Sequence, residues 1–332
     1  EMSASLVGSE MCIRDSLRTA FDRKSMVHCM TTSYSVLMSV YAKENANYLS
    51  AAIESMLCQS CPPTQFVLVC DGPLTPALDK VIIDFTAAHP DLFRILRLPE
   101  NQGLGFALQE GLSACECQLV ARMDSDDIAL PLRMEHQLAA MVADPCLDVV
   151  GGQIAEFVGD PRNIQGYRMV PISPEEVRQR AVRRNPINHM TVLFRRDAVL
   201  AAGNYQDMKG FEDYFLWGRM LASGCRIANL PEICVLARVA GLQMRRGGRD
   251  YFRQTVRLER SLRDCGLISV WDYCKNLLVR FCGTVLLPNS LRQRAYQRYL
   301  RQESAPEIPW AGPLPKMPAS TALSMAKIQT SE

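Results

Sequence analysis

Three acidic side chains, Asp124, Asp126 and Asp127, stand within four residues and are interrupted only by Ser125. Crowded carboxylates repel one another and hold their protons more tightly. A divalent cation relieves that repulsion, and hard oxygen donors favour Mg2+ or Mn2+ over zinc or copper. Such ions use few protein carboxylates and complete their shell with substrate phosphates, so a metal–diphosphate complex is the expected chemistry. The bland alternative is a turn, or a cap for the helix near Pro131. Asp71, followed by Gly72, offers another carboxylate for a nucleobase N–H or a ribose hydroxyl, or simply for a turn. Glu212 and Asp213 open an apolar helix that runs through Met220 and Leu221. A carboxylate there, facing a cleft, can act as a general base. It can also do no more than complement the helix dipole.

Other candidates are weaker. His189 stands alone before Thr191 to Phe194, and Trp217 lies one turn after Asp213; both fit a packed interior. The stretch Gln243-Met244-Arg245-Arg246 could hold a phosphate or be a solvated basic loop. Cys58 and Cys61 form the only C-x-x-C among 13 cysteines, with no matching second pair for zinc. Free thiols in a reducing cytosol are expected.

These residues need elements to hold them. Tyr34 to Val40, Gln65 to Cys70, Phe93 to Leu98 and Gln118 to Met123 are continuous apolar runs, as strands buried on both faces should be. Helical periodicity fills the gaps at Asn47 to Cys58, Leu74 to His89, Gly103 to Ser113 and Pro131 to Asp144. Val149-Val150 starts a further strand. Repeated β-then-α units imply an α/β fold with a mostly parallel sheet flanked by helices. Ligands of such sheets sit at the carboxyl ends of the strands. Those ends are Tyr41 to Asn45, Asp71-Gly72, Pro99 to Gly103 and Asp124 to Asp127. No G-x-G-x-x-G follows the first strand, and no G-x-x-x-x-G-K-[ST] occurs.

Of the 332 residues, 48% are hydrophobic and 22% charged, which excludes a chain disordered throughout. The 37 basic and 35 acidic residues nearly cancel, but unevenly. Between Arg238 and Gln302 there are 14 Lys/Arg against 4 Asp/Glu, leaving 23 against 31 elsewhere. A basic C-terminal third on an acidic body fits a polyanionic partner such as anionic lipid headgroups or nucleic acid. The most apolar stretch, Leu277 to Leu287, is interrupted by Arg280 and too short to span a bilayer. With Leu277, Leu278, Phe281, Val285 and Leu286 beside Lys275, Arg280, Arg292 and Arg294, it could lie in a membrane interface.

Four regions are expected. Residues 1–30 lack periodicity and look non-native or disordered, with a native start at Met26 or Met30. Residues 31–240 form the main domain, 241–302 a basic helical membrane-associating extension, and 303–332, with five prolines, a disordered tail.

Together the candidate residues resemble glycosyltransferase family 2, the inverting transferases of the GT-A fold. The pieces that carry the resemblance occur in order. They are Tyr34 to Tyr41 as the opening strand, Asp71-Gly72, and Asn101-Gln102-Gly103-Leu104 with Ala107-Leu108 and Gly111-Leu112. Arg122-Met123-Asp124-Ser125-Asp126-Asp127 with Pro131 and Arg133, and the pair Glu212-Asp213, complete the set. The region from Arg245 to Arg301 resembles transferases of bacterial capsular and exopolysaccharide clusters, such as the amylovoran type. The resemblance implies a nucleotide-diphospho-sugar donor, a UDP- or dTDP-sugar, and a lipid-linked or oligosaccharide hydroxyl acceptor. It implies donor contacts at Tyr41, Glu44, Asp71, Asn101, Arg122, Asp124, Glu212 and Arg246, and Mn2+ or Mg2+ on Asp124 and Asp126. Asp213 would be the base that deprotonates the acceptor. The expected setting is the cytoplasm, peripheral at the inner face of the cytoplasmic membrane, with an anionic membrane surface and no nucleic acid as partner. Two departures stand out. No histidine follows His189, so the usual late metal ligand is replaced by Arg238-Val239-Ala240-Gly241. Gln243 to Arg246 is followed by Gly247 rather than tryptophan, which favours addition of a single sugar over processive synthesis. A nucleotidyltransferase or a non-catalytic sugar-nucleotide-binding protein are the competing classes. The first would want a Gly-rich basic loop at Tyr41 to Asn45, and the second would tolerate loss of Asp126 or Asp213.

Overall fold

The structure, a computed structural model, describes residues 32–239, 249–283 and 310–312. Its centre is β1 (Tyr34–Tyr41), with β2 (Gln65–Asp71) and β4 (Leu119–Met123) parallel on either side and β3 (Phe93–Arg97) beyond β2. Tyr41 pairs with Asp71 and Met38 with Met123. That register brings the three carboxyl ends to one edge, where a parallel sheet presents its ligand site.

Connections between these strands are helices with legible start signals. Asn45 caps α1 (Ala46–Leu57) by accepting from the Asn47 N–H at 2.9 Å. Thr75 caps α2 (Pro76–Ala88), which opens on proline. Gly103 opens α3 (Leu104–Ala114) at φ +93°, a backbone that suits glycine. Successive β1 residues alternate between two cores. Val36, Met38 and Val40 join one with α1, while Leu37 faces the other with Val67, Val69 and Leu108 of α3. Gly111 lets α3 approach the sheet, since a Cβ there would collide with Leu37 and lie 2.7 Å from Val69 Cγ2.

Beyond β4 the sheet is mixed rather than parallel. Its order is β3-β2-β1-β4-β8-β6-β9-β5, with β7 (Ile164–Arg168) paired to β6 (Leu147–Phe157). β8 (Leu193–Arg195) runs antiparallel to both β4 and β6, whereas β9 (Arg226–Arg238) runs parallel to β6. The two-residue β5 (Ile128–Ala129) follows β4 by four residues, yet pairs with β9 at the far end of that order. So short a connection can join those positions only because the sheet curls. The residues that make it are Asp124 to Asp127.

α4 (Arg133–Ala143) starts after this connection and buries Arg133 completely. Its guanidinium donates to the Arg122 carbonyl at 2.8 Å and to Gln137 at 3.0 Å, and desolvation lowers its pKa to about 10. α5 (Pro174–Ala181) opens with a Ser173/Glu176 capping box. α6 (Arg196–Ala201) and α7 (Glu212–Ala222) follow.

Helices α8 (Arg249–Asp264) and α9 (Val270–Phe281) pack on the same body, because Leu258, Leu262, Leu267 and Ile268 share the core of Trp217 and Leu216. A buried polar knot adds to this. Glu259 pairs with Arg280 at 2.8 Å and accepts from Asn276, which also donates to the Val182 carbonyl at 2.8 Å. The half of the expected extension that the structure describes is therefore docked on the main domain. No described helix is long and apolar enough to cross a membrane. Within the expected disordered tail, residues 310–312 return to the sheet. Ala311 N–H donates to the Ile233 carbonyl of β9 at 3.0 Å, and its own carbonyl accepts from Leu132 at 2.8 Å. Residues 1–31, 240–248, 284–309 and 313–332 lie outside the described residues, and with them the roles expected of Arg245, Arg246, Val285, Leu286, Arg292 and Arg294.

Candidate active site

At the carboxyl edge, Asp71 and Asn101 bind each other. Asp71 Oδ2 accepts from Asn101 Nδ2 at 2.9 Å and from the Gly103 N–H at 3.0 Å, while Oδ1 accepts from the Gln102 N–H at 2.8 Å. Of the roles the sequence leaves open for Asp71, the structure shows the turn: both oxygens shape the loop that opens α3. Tyr41 ends β1 and is exposed to solvent. Glu44 accepts from the Asn45 N–H at 2.7 Å and from Ser125 Oγ at 2.9 Å, which ties the β1–α1 loop to the acidic connection.

Asp124, Asp126 and Asp127 can place one oxygen each within 4.8 Å of one another. They are not equivalent. Asp127 is buried and accepts the Arg238 backbone N–H at 2.7 Å, so it anchors the connection to β9. Asp124 is part-exposed and forms an ion pair with Arg122. Asp126 is part-buried; burial, then the charges of Asp124 and Glu44, push its carboxyl up to about 7. That is the state a divalent cation would relieve. Hard oxygens at this spacing with a raised proton affinity fit Mg2+ or Mn2+, with Asp126 and Asp124 as the holding pair.

Arg122, expected as a donor contact, is held from inside the fold. It is only 2% exposed, so its contact is with Asp124 rather than with open solvent. Burial opposes its charge, and the Asp124 carboxylate overrides that opposition. Its Nε and Nη1 atoms have no hydrogen-bond partner. Arg238, noted in the sequence only as the residue in place of a histidine, closes the other side. Its Nε donates to the Asp126 carbonyl at 3.1 Å, and its guanidinium lies 3.7 Å over the Tyr48 ring and 4.5 Å over Phe157. A guanidinium cannot ligate a cation, so the third protein ligand is absent at this position.

The second carboxylate pair opens α7. Asp213 Oδ2 accepts from Asn185 Nδ2 at 2.6 Å and Oδ1 from the Tyr214 N–H at 2.7 Å. Burial raises its pKa, and these donors together with Arg168 and Arg122 oppose the rise. Burial, then the Asp213 charge, pushes Glu212 up to about 7. The two acidic pairs share one neighbourhood. The buried Tyr205 hydroxyl feels Arg122, Asp213, Glu212 and Asp124, and burial holds it un-ionised. Nothing in the local sequence signals Asn185, and it escaped sequence reasoning. His189 is buried, with Nε2 3.0 Å from Tyr205 Oη and its ring edge-on to Trp217. Burial, then Arg122, lowers its pKa well below the usual range, so it is a neutral core residue. Trp217 is core as well.

A stability prediction follows from Asp126. An unfolded aspartate titrates near 3.9, so between about pH 4 and 7 the folded protein binds the extra proton. Its folding stability must fall as pH rises through that window. Melting curves in chelator should show this decline, and Mn2+ should raise the melting temperature more at pH 7.5 than at pH 5. An equal Mn2+ shift at both pH values would mean that the ion does not bind these carboxylates.

Comparison with known proteins adds an independent line. Residues 35–211 match the family model described as glycosyl transferase family 2. An uncharacterized glycosyltransferase of Haemophilus influenzae is 41% identical over 81% of this chain and 99% of its own length. The amylovoran biosynthesis glycosyltransferase AmsE of Erwinia amylovora is 37% identical over 80% of this chain and 98% of its own. The UDP-Gal:alpha-D-GlcNAc-diphosphoundecaprenol beta-1,3-galactosyltransferase of Escherichia coli is 31% identical over 82% and 98%. Among solved structures, S. aureus TarS 1-349 in complex with UDP-GlcNAc superposes with a TM-score of 0.58 at 17% identity, covering 81% of this chain and 76% of that one. The mannosyltransferase PcManGT of Pyrobaculum calidifontis, in complex with GDP-Man and Mn2+, gives 0.56 at 15% identity over 91% and 81%. The fold they share with this chain is GT-A.

Proposed function

The chain belongs to glycosyltransferase family 2, and from that premise we propose that it adds a single sugar to a lipid-linked acceptor during assembly of a bacterial surface polysaccharide. It is an inverting transferase, and its donor is a nucleotide-diphospho-sugar of the UDP or dTDP type. The observation that carries this reading is the convergence of two carboxylate pairs at one sheet edge, Asp124/Asp126 and Glu212/Asp213. One pair suits a metal–diphosphate and the other a base. The relative named for UDP-Gal and a diphosphoundecaprenol-linked acceptor supports both choices of substrate.

In this mechanism Asp124 and Asp126 would hold Mn2+ or Mg2+, with Arg122 fixing the Asp124 carboxylate. When bound, the ion offsets the charge that builds on the departing diphosphate. Asp71 and Asn101 set the loop against which the nucleotide lies, and Tyr41, Glu44 and Glu212 border the same edge. Asp213 takes the proton from the acceptor hydroxyl, held in place by Asn185. The freed oxygen attacks the anomeric carbon from the side opposite the diphosphate, so the configuration inverts. Arg246 is proposed as a further diphosphate contact. The site of action is the inner face of the cytoplasmic membrane.

A thermal-shift panel of nucleotide sugars tests the donor. A ligand that binds only the folded state raises the melting temperature with its concentration over Kd. A UDP- or dTDP-sugar should give the largest shift, and only with Mn2+ or Mg2+ present. A GDP-sugar giving the only shift would overturn the nucleotide assignment.

A further inference from the structure

Helix α9 wears its apolar side outward. Val270 is 64%, Trp271 85%, Leu278 65% and Val279 64% exposed, and Cys274 and Cys282 lie exposed in the same stripe. The spacing of positions 271, 274, 278 and 282 is that of one helix face. The opposite face is the docked one, through Asn276 and Arg280 on Glu259. A solvated helix normally reverses this pattern, and a contiguous exposed apolar stripe marks an interaction surface. Lys275 lies within the stripe, and Asp272, which caps the helix start through Ser269, borders it beside Val279.

We propose that this face of α9 is a membrane-contact surface that lies in the interface of an anionic leaflet, a proposal that rests on the lipid-linked-acceptor reading above. Three observations favour a lipid surface. At 12 residues α9 is too short to span a bilayer but suits shallow burial parallel to it. Its surroundings are basic. Arg280 donates to the Arg183 carbonyl at 3.0 Å, which sets the exposed Arg183 and Arg184 at the C-terminal flank of the helix. The 19 residues that follow the described part, 284–302, hold Arg292, Arg294, Arg298 and Arg301 and no acidic residue. Lastly, Lys275 is exposed, so at a leaflet its stem can lie among acyl chains and its ammonium reach the phosphates. The face is also linked to the chemistry. Arg183, which accepts from Arg280 of α9, stands two residues before Asn185, which holds the Asp213 carboxylate.

The test uses the full chain with vesicles of phosphatidylcholine, alone or mixed with phosphatidylglycerol. Binding should require phosphatidylglycerol and weaken with salt. Brominated lipids should quench a tryptophan signal that Trp271→Phe removes, because Trp217 is buried in the core and Trp310 packs against Tyr167, away from α9. Leu278→Glu with Val279→Glu should weaken binding by about tenfold or more while the melting temperature holds, since both sites are exposed. The same double variant should lose transfer to a lipid-linked acceptor yet keep transfer to a short water-soluble one. If no variant transfers to any lipid-linked acceptor but anionic vesicles still bind through Trp271, the acceptor reading fails and the membrane surface stands. Equal binding to both vesicle types, or none, overturns the surface. So does a double variant that changes the oligomeric mass instead of vesicle binding, which would assign the face to a second copy. A Trp271 that is shielded before vesicles are added would give it to residues 284–309, and overturns the proposal equally.

Discussion

Asp126→Ala is expected to reduce transfer about a thousandfold or more while the protein stays folded. Stabilising the charge on a leaving diphosphate with a divalent ion would be worth several kcal/mol, and each 1.4 kcal/mol is about tenfold in rate. Asp127 is buried and anchors the connection to β9 through the Arg238 N–H, so it is the less accessible carboxylate of the three. Asp124 is held by Arg122, which leaves it poised but alone. The variant should also remove the metal requirement of donor binding. Removing one carboxylate from a crowded set should flatten the decline in stability towards neutral pH, since Asp126 is the group pushed up to about 7. Donor binding and turnover in the presence and absence of chelator check all three outcomes. Wild-type protein that keeps full activity in excess chelator would contradict the role given to Asp126.

Asp213→Asn should lower turnover by about 10²–10⁴-fold, the usual contribution of a positioned base, with donor affinity kept. The amide is not a silent replacement. Asn185 Nδ2 and the Tyr214 N–H both donate to this side chain, and an amide can accept on only one of its two ends. A modest loss of stability, on the order of 1 kcal/mol, should accompany the loss of rate. Glu212→Gln is the control, since Glu212 lies beside Asp213 with its own pKa pushed up to about 7. In the wild type, kcat/KM should fall towards acid pH, because burial raises the Asp213 carboxyl above the usual range and a proton there removes the acceptor's base. Should Asp213→Asn keep wild-type turnover while Glu212→Gln loses it, the base is the other carboxylate.

The parallel half of the fold is legible in the sequence because its information is local. Each strand is a continuous apolar run, and each is followed by a helix with its own start signal, such as Asn45 or Thr75. The carboxyl-end rule then identifies Asp71 and Asp124 to Asp127 without knowledge of the mixed half. That half depends on partners far apart in the chain. The two residues of β5 find β9 across more than a hundred residues, and no periodicity announces it. The role of Arg238 is hidden in the same way, since Tyr48, Phe157 and Asp126 are brought to it only by the curl of the sheet. The environment of Asp71 is a subtler case. Its type and place are right, but the Gln102 and Gly103 N–H groups that occupy it are fixed by backbone geometry. For α9 the sequence displays apolar residues beside basic ones but not the phase of the helix. Arg280 turns inward because Glu259 waits there, and Trp271 is left outward.

The proposed single displacement, with Asp213 on α7 as its base, inverts the configuration at the anomeric carbon. The anomeric configuration of the product, read by NMR after transfer from the nucleotide sugar that stabilises the protein most, tests it most directly. A product of configuration opposite to that of the donor is predicted, lost with Asp213→Asn. A product that retains the donor's configuration would contradict the account.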